Sequence, residues 1–225
     1  MTDTDIARVS TFRQSEPVLE TQTMVRARLT SEQSLAVFRS VLAAASRPGT
    51  LVALPADAAP GVPPTIVPVL TLADLDIAVA MLDEDANGDS WQSLVRSVTG
   101  CRTAAAADAD MVVALRPPSP VEIASLRIGT AHAPERGARL FVACRMLTEG
   151  SVGGPTTIRV SGPGASNGRT VTVAGVARGV LSALVTANKA FPAGIDTWLV
   201  ADNGVMAAIP RSTQIDIVDT AKEES

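Results

Sequence analysis

The chain has 225 residues, of which 46% are hydrophobic and 19% are charged, and its net charge is −4. This composition is typical of a globular protein with a sizeable core, and it excludes an intrinsically disordered chain. The acidic balance, the 3% aromatic content and the lack of tyrosine argue against a general nucleic-acid or anionic-membrane binder. The first residues show no secretory signal, and no apolar run approaches the ~20 residues of a membrane span. We therefore expect a cytoplasmic protein whose cysteines are reduced.

Helices and strands alternate in the first half of the chain. Thr30 and Gln33 predict a capping box ahead of a helix whose apolar positions recur at helical spacing. That helix should end at Ser46-Arg47-Pro48-Gly49, because proline removes an amide donor and glycine permits a left-handed turn. We expect a second capping box at Ser119 and a helix capped by Asp89 or Ser90. Further elements are predicted as strands at 50–54, 77–82 and 111–115 and as a helix at 66–72.

The second half of the chain is richer in strands. Asn203-Gly204 predicts a hairpin, since this dipeptide suits the positive φ angles of a type I′ turn. The predicted strands are 139–147, 157–161, 170–173, 197–201, 205–209 and 214–218, with one long helix over 176–188. The order of elements favours a single α/β domain over 25–218, with a mixed sheet and flanking helices. A flexible arm at 1–24 is expected before the domain, and an acidic tail at 219–225 after it.

Histidine and cysteine chemistry is sparse. His132 is the only histidine, which excludes sites that need two histidines, including most zinc hydrolases. It lies among small residues, which favours a loop histidine over a general base, with ligand contact as a further option. Cys101 and Cys144 form no CxxC motif, so neither a metal centre nor a reactive thiol is predicted. Cys144 is expected in the core, and Cys101 is expected to be partly exposed.

Glycine-rich and lysine sites do not indicate a cofactor. The segment Ser161–Gly168 leads from one predicted strand to another, which favours a hairpin turn over a phosphate loop. Lys189 follows the long helix, where a cation is favoured by the helix dipole. A Schiff base with pyridoxal phosphate is the alternative role for this lysine. We therefore predict no bound cofactor and no metal.

Two arginines and one aspartate are candidate ligand-binding residues. Arg47 lies at the predicted helix end, and Arg211 follows Pro210 at the end of a predicted strand. A guanidinium group matches phosphate, phosphonate or carboxylate oxygens bidentately, although each arginine alone is more typical of a surface ion pair. Asp196 suits a turn better than a general base. The residues by themselves complete no catalytic constellation.

Several segments in order along the chain resemble the PhnH family, the H subunits of the bacterial carbon–phosphorus lyase system. The resemblance is strongest in Phe191-Pro192-Ala193-Gly194-Ile195-Asp196 and in Ala208-Ile209-Pro210-Arg211-Ser212-Thr213. The other segments are 38–39, 46–49, 70–74, 129–138 and 160–164. Any one of these segments is a weak signal, whereas the ordered set across 35–218 is fairly specific.

The resemblance implies a shortened pyridoxal-phosphate-dependent transferase fold without the cofactor. It also implies a homodimer in isolation and a core complex with the G, I and J subunits, with K and L associating. With the G, I and L proteins, such a subunit supports formation of α-D-ribose 1-(methyl)phosphonate 5-triphosphate from ATP and an alkylphosphonate. The radical step belongs to the J subunit, and the chain lacks the three-cysteine cluster that this step needs. The expected role is therefore an accessory subunit in phosphonate catabolism that is not catalytic alone.

Binding or interface roles are expected for Arg47, His132, Asp196 and Arg211. Two alternatives stay open at this point. The chain could be an independent small-molecule transferase, with His132 or Asp196 as base and Arg211 holding an oxyanion. It could also be a regulator that binds phosphonates or nucleotides.

Overall fold

The computed structural model describes residues 26–83 and 87–218. The arm predicted at 1–24 and the tail predicted at 219–225 lie outside these ranges. Within them, no helix is long and apolar enough to cross a membrane. The helices are α1 (Ser31–Ser46), α2 (Val67–Leu72), α3 (Asn87–Thr99), α4 (Pro120–Ser125) and α5 (Arg178–Ala187). The strands are β1 (Val52–Ala53), β2 (Ala78–Leu82), β3 (Arg102–Thr103), β4 (Met111–Ala114), β5 (Arg139–Cys144), β6 (Met146–Glu149), β7 (Thr156–Gly162), β8 (Ala165–Ala174), β9 (Asp196–Ala201), β10 (Val205–Ile209) and β11 (Gln214–Val218).

The strands form two sheets. The larger has seven strands in the order β1-β10-β9-β5-β4-β2-β3. Its strands β3, β2, β4, β5 and β9 are parallel, whereas β10 and β1 are antiparallel to their neighbours. The smaller sheet is antiparallel in the order β11-β7-β8-β6. The predicted single α/β domain with a mixed sheet is thus confirmed, and the second sheet is an addition to it.

Both faces of the seven-stranded sheet are buried, each in its own hydrophobic core. Val113 and Phe141 point to the side that α1, α2 and α3 cover. Val112 and Leu140 point to the other side, which is covered by α4, α5 and the smaller sheet. Burial on both faces explains why the central strands read as continuous apolar runs.

Local signals at the ends of helices are confirmed. The Gln33 amide donates to Thr30 Oγ1 at 3.2 Å, and the Thr30 amide donates to Gln33 Oε1 at 3.0 Å. The second capping box joins Ser119 and Glu122 in the same way. After α1, Gly49 adopts a φ of 74°, a left-handed conformation that glycine tolerates best.

One predicted strand is wrong because the chain changes sheets within it. The segment 139–147 forms β5 of the larger sheet and then β6 of the smaller sheet. Arg145 separates the two strands, and its amide donates to the carbonyl oxygen of Ala174 at 2.8 Å. Apolar residues lie on both sides of Arg145, and a single charged residue inside such a run does not mark a change of sheet.

Three local predictions need correction. The helix α3 begins at Asn87, earlier than the predicted caps at Asp89 or Ser90. The β9–β10 hairpin is confirmed, but Gly204 alone in its loop has a positive φ (79°). The loop between the end of β9 and the start of β10 has three residues, 202–204, so it is not a two-residue type I′ turn. Cys101 is buried, contrary to expectation, whereas Cys144 is buried as expected.

Candidate functional site

Asp196 and Arg211 lie side by side at one edge of the seven-stranded sheet. Asp196 is the first residue of β9, and Arg211 follows the end of β10. Since β9 and β10 are antiparallel neighbours, the start of one strand is next to the end of the other. The hairpin therefore brings together two residues that are 15 positions apart.

The two side chains form a bidentate ion pair. Arg211 Nε lies 3.1 Å from each carboxylate oxygen of Asp196, and Nη2 lies 2.6 Å from Oδ2. The backbone amide of Arg211 also donates to Asp196 Oδ1, at 2.9 Å. The side chains of Arg211 and Asp196 are only 13% and 25% exposed, respectively. Charge-assisted bidentate contacts of this kind are among the stronger hydrogen bonds in proteins, so we call this pair the clamp.

The clamp also holds the loop that contains His132. Arg211 Nη1 donates to the carbonyl oxygen of Pro134. A Cβ added to Gly137 would overlap the carbonyl oxygen of Gly194 and lie 2.7 Å from Arg211 Nη1. The Gly194 amide in turn donates to the carbonyl oxygen of Ile128 at 2.7 Å. Backbones pass so closely here that glycine is required on steric grounds.

Asn188 completes the packing around the clamp. Its Oδ1 accepts from the Ile195 amide at 2.7 Å, and its Nδ2 donates to the Ile195 carbonyl at 3.2 Å. The segments 129–138, 191–196 and 208–213 are thus joined by contacts between backbone and side chain. The segment 129–138 is far from the other two in the sequence, and all three segments are adjacent in space.

Two further segments meet beside the first three. Arg169 Nη1 donates to the carbonyl oxygens of Pro48, at 2.9 Å, and of Gly164, at 2.7 Å. The Gly49 amide donates to the carbonyl oxygen of Ala208 at 3.2 Å. A Cβ on Gly49 would overlap the Val160 side chain. The segments 46–49 and 160–164 therefore pack against the same hairpin that carries the clamp.

His132 and Arg47 are placed differently from the clamp residues. Both are exposed, and neither side chain makes a hydrogen bond or ion pair with another residue in the described ranges. His132 lies in the loop whose Pro134 carbonyl accepts from Arg211, and Arg47 caps the end of α1. The structure thus brings Asp196 and Arg211 together and leaves His132 and Arg47 on the surface.

The sequence gives no sign of a second charged cluster, formed around Asp110 at the start of β4. Asp110 Oδ2 accepts from the Ala78 amide at 2.8 Å, and Oδ1 accepts from Arg127. Burial alone would raise the pKa of Asp110, but these hydrogen bonds and the charges of Arg127 and Arg102 hold that pKa below its usual value. Because 32 residues separate Asp110 from Ala78, only the parallel pairing of β2 and β4 brings them together.

A third ion pair reinforces the second capping box. Arg116 Nη2 lies 2.6 Å and Nη1 3.0 Å from the two carboxylate oxygens of Glu122. The Arg116 side chain, followed by the Ser119 amide, lowers the pKa of Glu122 to about 2. Glu122 was identified from the capping motif, whereas no signal in the sequence pointed to Arg116 as its partner.

A cleft of about 250 Å³ lies at the carboxyl ends of the parallel strands, where open α/β sheets commonly bind ligands. Asp83 and Asp202 contribute carboxylates to it, and Trp91 contributes an aromatic face. Its other described lining residues are Pro63, Pro64, Thr65, Leu115, Ala143 and Ala201. None of these described lining residues is an arginine or lysine, the side chains that best bind anions such as phosphonates and triphosphates.

The described residues do not fit a metal or a Schiff-base cofactor. No three His, Cys, Asp or Glu residues of the described part are grouped so as to hold a metal ion. Burial, and secondly the charge of Asp202, raises the pKa of Cys144 to about 12, which keeps it a protonated core thiol. Lys189 is exposed in a short 3-10 turn after α5 and does not line the cleft.

Comparison with known proteins agrees with the ordered segments. The family model described as "Bacterial phosphonate metabolism protein (PhnH)" matches residues 27–216. A protein of Stutzerimonas stutzeri named "Putative C-P lyase subunit protein HtxG" is 30% identical over 182 residues, which are 80% of this chain and 84% of that protein. The family match extends from α1 into β11 and includes every segment described above. The chain therefore belongs to the PhnH family of bacterial phosphonate metabolism proteins.

Proposed function

We propose that this chain is an accessory subunit of a carbon–phosphorus lyase complex. In this role it acts with the G, I and L proteins, which form α-D-ribose 1-(methyl)phosphonate 5-triphosphate from ATP and an alkylphosphonate. The J subunit belongs to the same complex, and K associates with it. The proposal includes a homodimer in isolation and a cytoplasmic location.

One observation carries the proposal: the family-like segments converge on a structural clamp and not on a catalytic arrangement. The guanidinium of Arg211 donates hydrogen bonds to both carboxylate oxygens of Asp196, and it also donates one to the Pro134 carbonyl. A general base needs a free lone pair beside the proton that it removes, whereas both Asp196 oxygens already accept hydrogen bonds. This geometry favours a role in shape over a role in chemistry.

The lining of the cleft supports the same proposal. ATP and phosphonates are anions, and no arginine or lysine is among the described residues that line the cleft at the carboxyl ends of the strands. The independent transferase and the phosphonate-binding regulator are therefore less well supported than the accessory subunit.

The proposal gives the two exposed candidates, His132 and Arg47, a role at the surface. The clamp fixes the loop 129–137 and thereby presents His132 at the surface, and Arg47 is presented at the end of α1. We assign both residues to contact with a partner subunit. Arg47 suits a partner carboxylate, since its guanidinium has no described ion-pair partner.

The fold is further proposed to be a shortened pyridoxal-phosphate-dependent transferase fold that has no cofactor. The mixed seven-stranded sheet with helices on its faces supports this relationship. The position of Lys189 supports the lack of a Schiff base, because this lysine is exposed after α5 and does not line the cleft.

The experiment is a reconstitution with methylphosphonate and ATP. Purified G, I and L proteins are assayed with and without this chain, and the product is measured by ³¹P NMR together with released adenine. We expect product only when this chain is present, and none from this chain alone. Turnover by the isolated chain, or full turnover without it, would contradict the proposal.

Two alanine variants test the surface roles. His132→Ala and Arg47→Ala should weaken co-purification with a tagged I subunit and lower turnover in proportion. Arg96→Ala is the control, because Arg96 is another exposed arginine with no described ion-pair partner. A His132→Ala chain that binds the I subunit normally but abolishes turnover would favour the independent transferase instead.

A further inference from the structure

The outer side of α1 carries an apolar stripe that no described residue covers. Leu35, Phe38 and Leu42 are 49%, 44% and 55% exposed. They recur at i, i+3 and i+7 and therefore lie on one side of the helix. Val37 and Val41 of the same helix are buried and face the core. The helix thus has one apolar face inside the protein and a second one outside.

Two opposite charges border this stripe on the same flank. Glu32 and Arg39 are exposed, and neither forms an ion pair with a residue of the described ranges. Seven residues separate them, which places them about 10 Å apart along the axis and within about 20° of each other around it. A surface with apolar residues between a negative and a positive end is complementary to its own antiparallel copy.

We propose that α1 is a self-association surface, where α1 of one copy packs antiparallel to α1 of a second copy about a two-fold axis. This inference rests on the homodimer included in the proposed function. An axis that crosses α1 beside Leu35 places Glu32 of each copy opposite Arg39 of the other. A two-fold interface uses the same patch twice, so each charge pair occurs twice.

The shape of the surface agrees with this pairing. Leu42 of one copy reaches the N-terminal end of α1 in the other. There a shallow cleft of about 560 Å³ lies between Leu29, Phe38 and Thr71. An aliphatic side chain that enters this cleft removes apolar surface of both copies from water.

Charge-reversal variants of the full-length chain test the pairing, with mass measured by sedimentation or light scattering over a concentration series. Glu32→Arg and Arg39→Glu each turn two attractive pairs into two repulsive ones. We expect each to raise the dimer dissociation constant about 30-fold. The double variant should return to near the wild-type value. Mixing the two single variants should yield a heterodimer, since the two positive side chains of one variant would face the two negative side chains of the other.

A non-electrostatic variant and a partner assay complete the test. Phe38→Asp should raise the dissociation constant at least about 100-fold, while Arg96→Ala should leave it unchanged. A wild type that is monomeric at all concentrations, or single variants that dimerise normally, would overturn the inference. If such a monomer still co-purifies with the I subunit, the proposed complex stands and only the self-association surface fails. If the dimer behaves as expected but the I subunit is not bound, the self-association surface stands and the proposed complex fails.

Discussion

Replacing Asp196 with asparagine removes the charge of the clamp and keeps the size of the side chain. The asparagine amide group would face the donor atoms of Arg211, which now contact both carboxylate oxygens. Removing one partner of a buried ion pair costs about 3–5 kcal/mol. Because Asp196 is 25% exposed, we expect a smaller loss, about 2–3 kcal/mol in the free energy of unfolding.

The assay is denaturant and thermal unfolding of wild type and Asp196→Asn at neutral pH. For a chain of this size, each kcal/mol lowers Tm by about 2–4 °C, so the expected decrease is about 5–10 °C. Tryptic cleavage after Arg136 should also become faster, because the clamp holds the Pro134 carbonyl in the same loop. Asp216→Asn is the matched control, since this exposed carboxylate of β11 has no described partner and should change stability by less than about 0.5 kcal/mol.

A double-mutant cycle separates the ion pair from general disruption. Arg211→Met alone should cost as much as Asp196→Asn, and the double variant should cost less than the sum by about 1–3 kcal/mol. If Asp196→Asn stays within about 0.5 kcal/mol of wild type, or if the two costs add, the clamp does not stabilise this edge of the sheet.

Three more predictions concern a close backbone approach, a pH dependence and the thiols. Gly49→Ala should cost about 3 kcal/mol of unfolding free energy, from positive φ and overlap with Val160, whereas Gly153→Ala should be nearly neutral because a Cβ there meets no atom within 4 Å. Since Arg116 lowers the pKa of folded Glu122 from 4.5 to about 2, its stabilisation is complete above the unfolded pKa and is lost as pH falls toward 2. The stability difference between wild type and Glu122→Gln should therefore shrink over that window, by at most about 3 kcal/mol, and a constant difference would refute this assignment. Both cysteines are buried, so a thiol reagent at pH 8 should label neither in native protein and both in denaturant; fast native labelling would contradict the core position.

Residues that act through near neighbours were predictable from the sequence. The capping boxes at Thr30 and Ser119 and the turn at Gly49 depend on groups a few positions away, and the structure confirms them. The strand β11 was also predicted with its observed bounds. In the capping boxes and the turn, the same few residues supply both the signal and the interaction, whereas β11 was predicted from its own pattern and pairs with the distant β7.

Contacts across the chain were not predictable in the same way. Asp196 and Arg211 were both candidates, but their pairing depends on the β9–β10 hairpin, and the contact with Pro134 spans 77 positions. Asp110 and Arg127 left no signal, because parallel strand pairing alone places the carboxylate beside the Ala78 amide. A charged residue in a sequence gives no information on which distant charge it will meet.

The sequence by itself determined the α/β class, most of the helices and strands, and the family, because hydrophobic periodicity, capping and ordered motifs are properties of the chain read in order. Only the tertiary structure decided that the segment 139–147 crosses from one sheet to the other. It alone decided that the family-like segments converge on a clamp between Asp196 and Arg211. It also showed that the apolar positions of α1 divide into a buried face and an exposed one. The physical reason is that an apolar residue has the same hydrophobicity on either face, and only packing determines which face is covered.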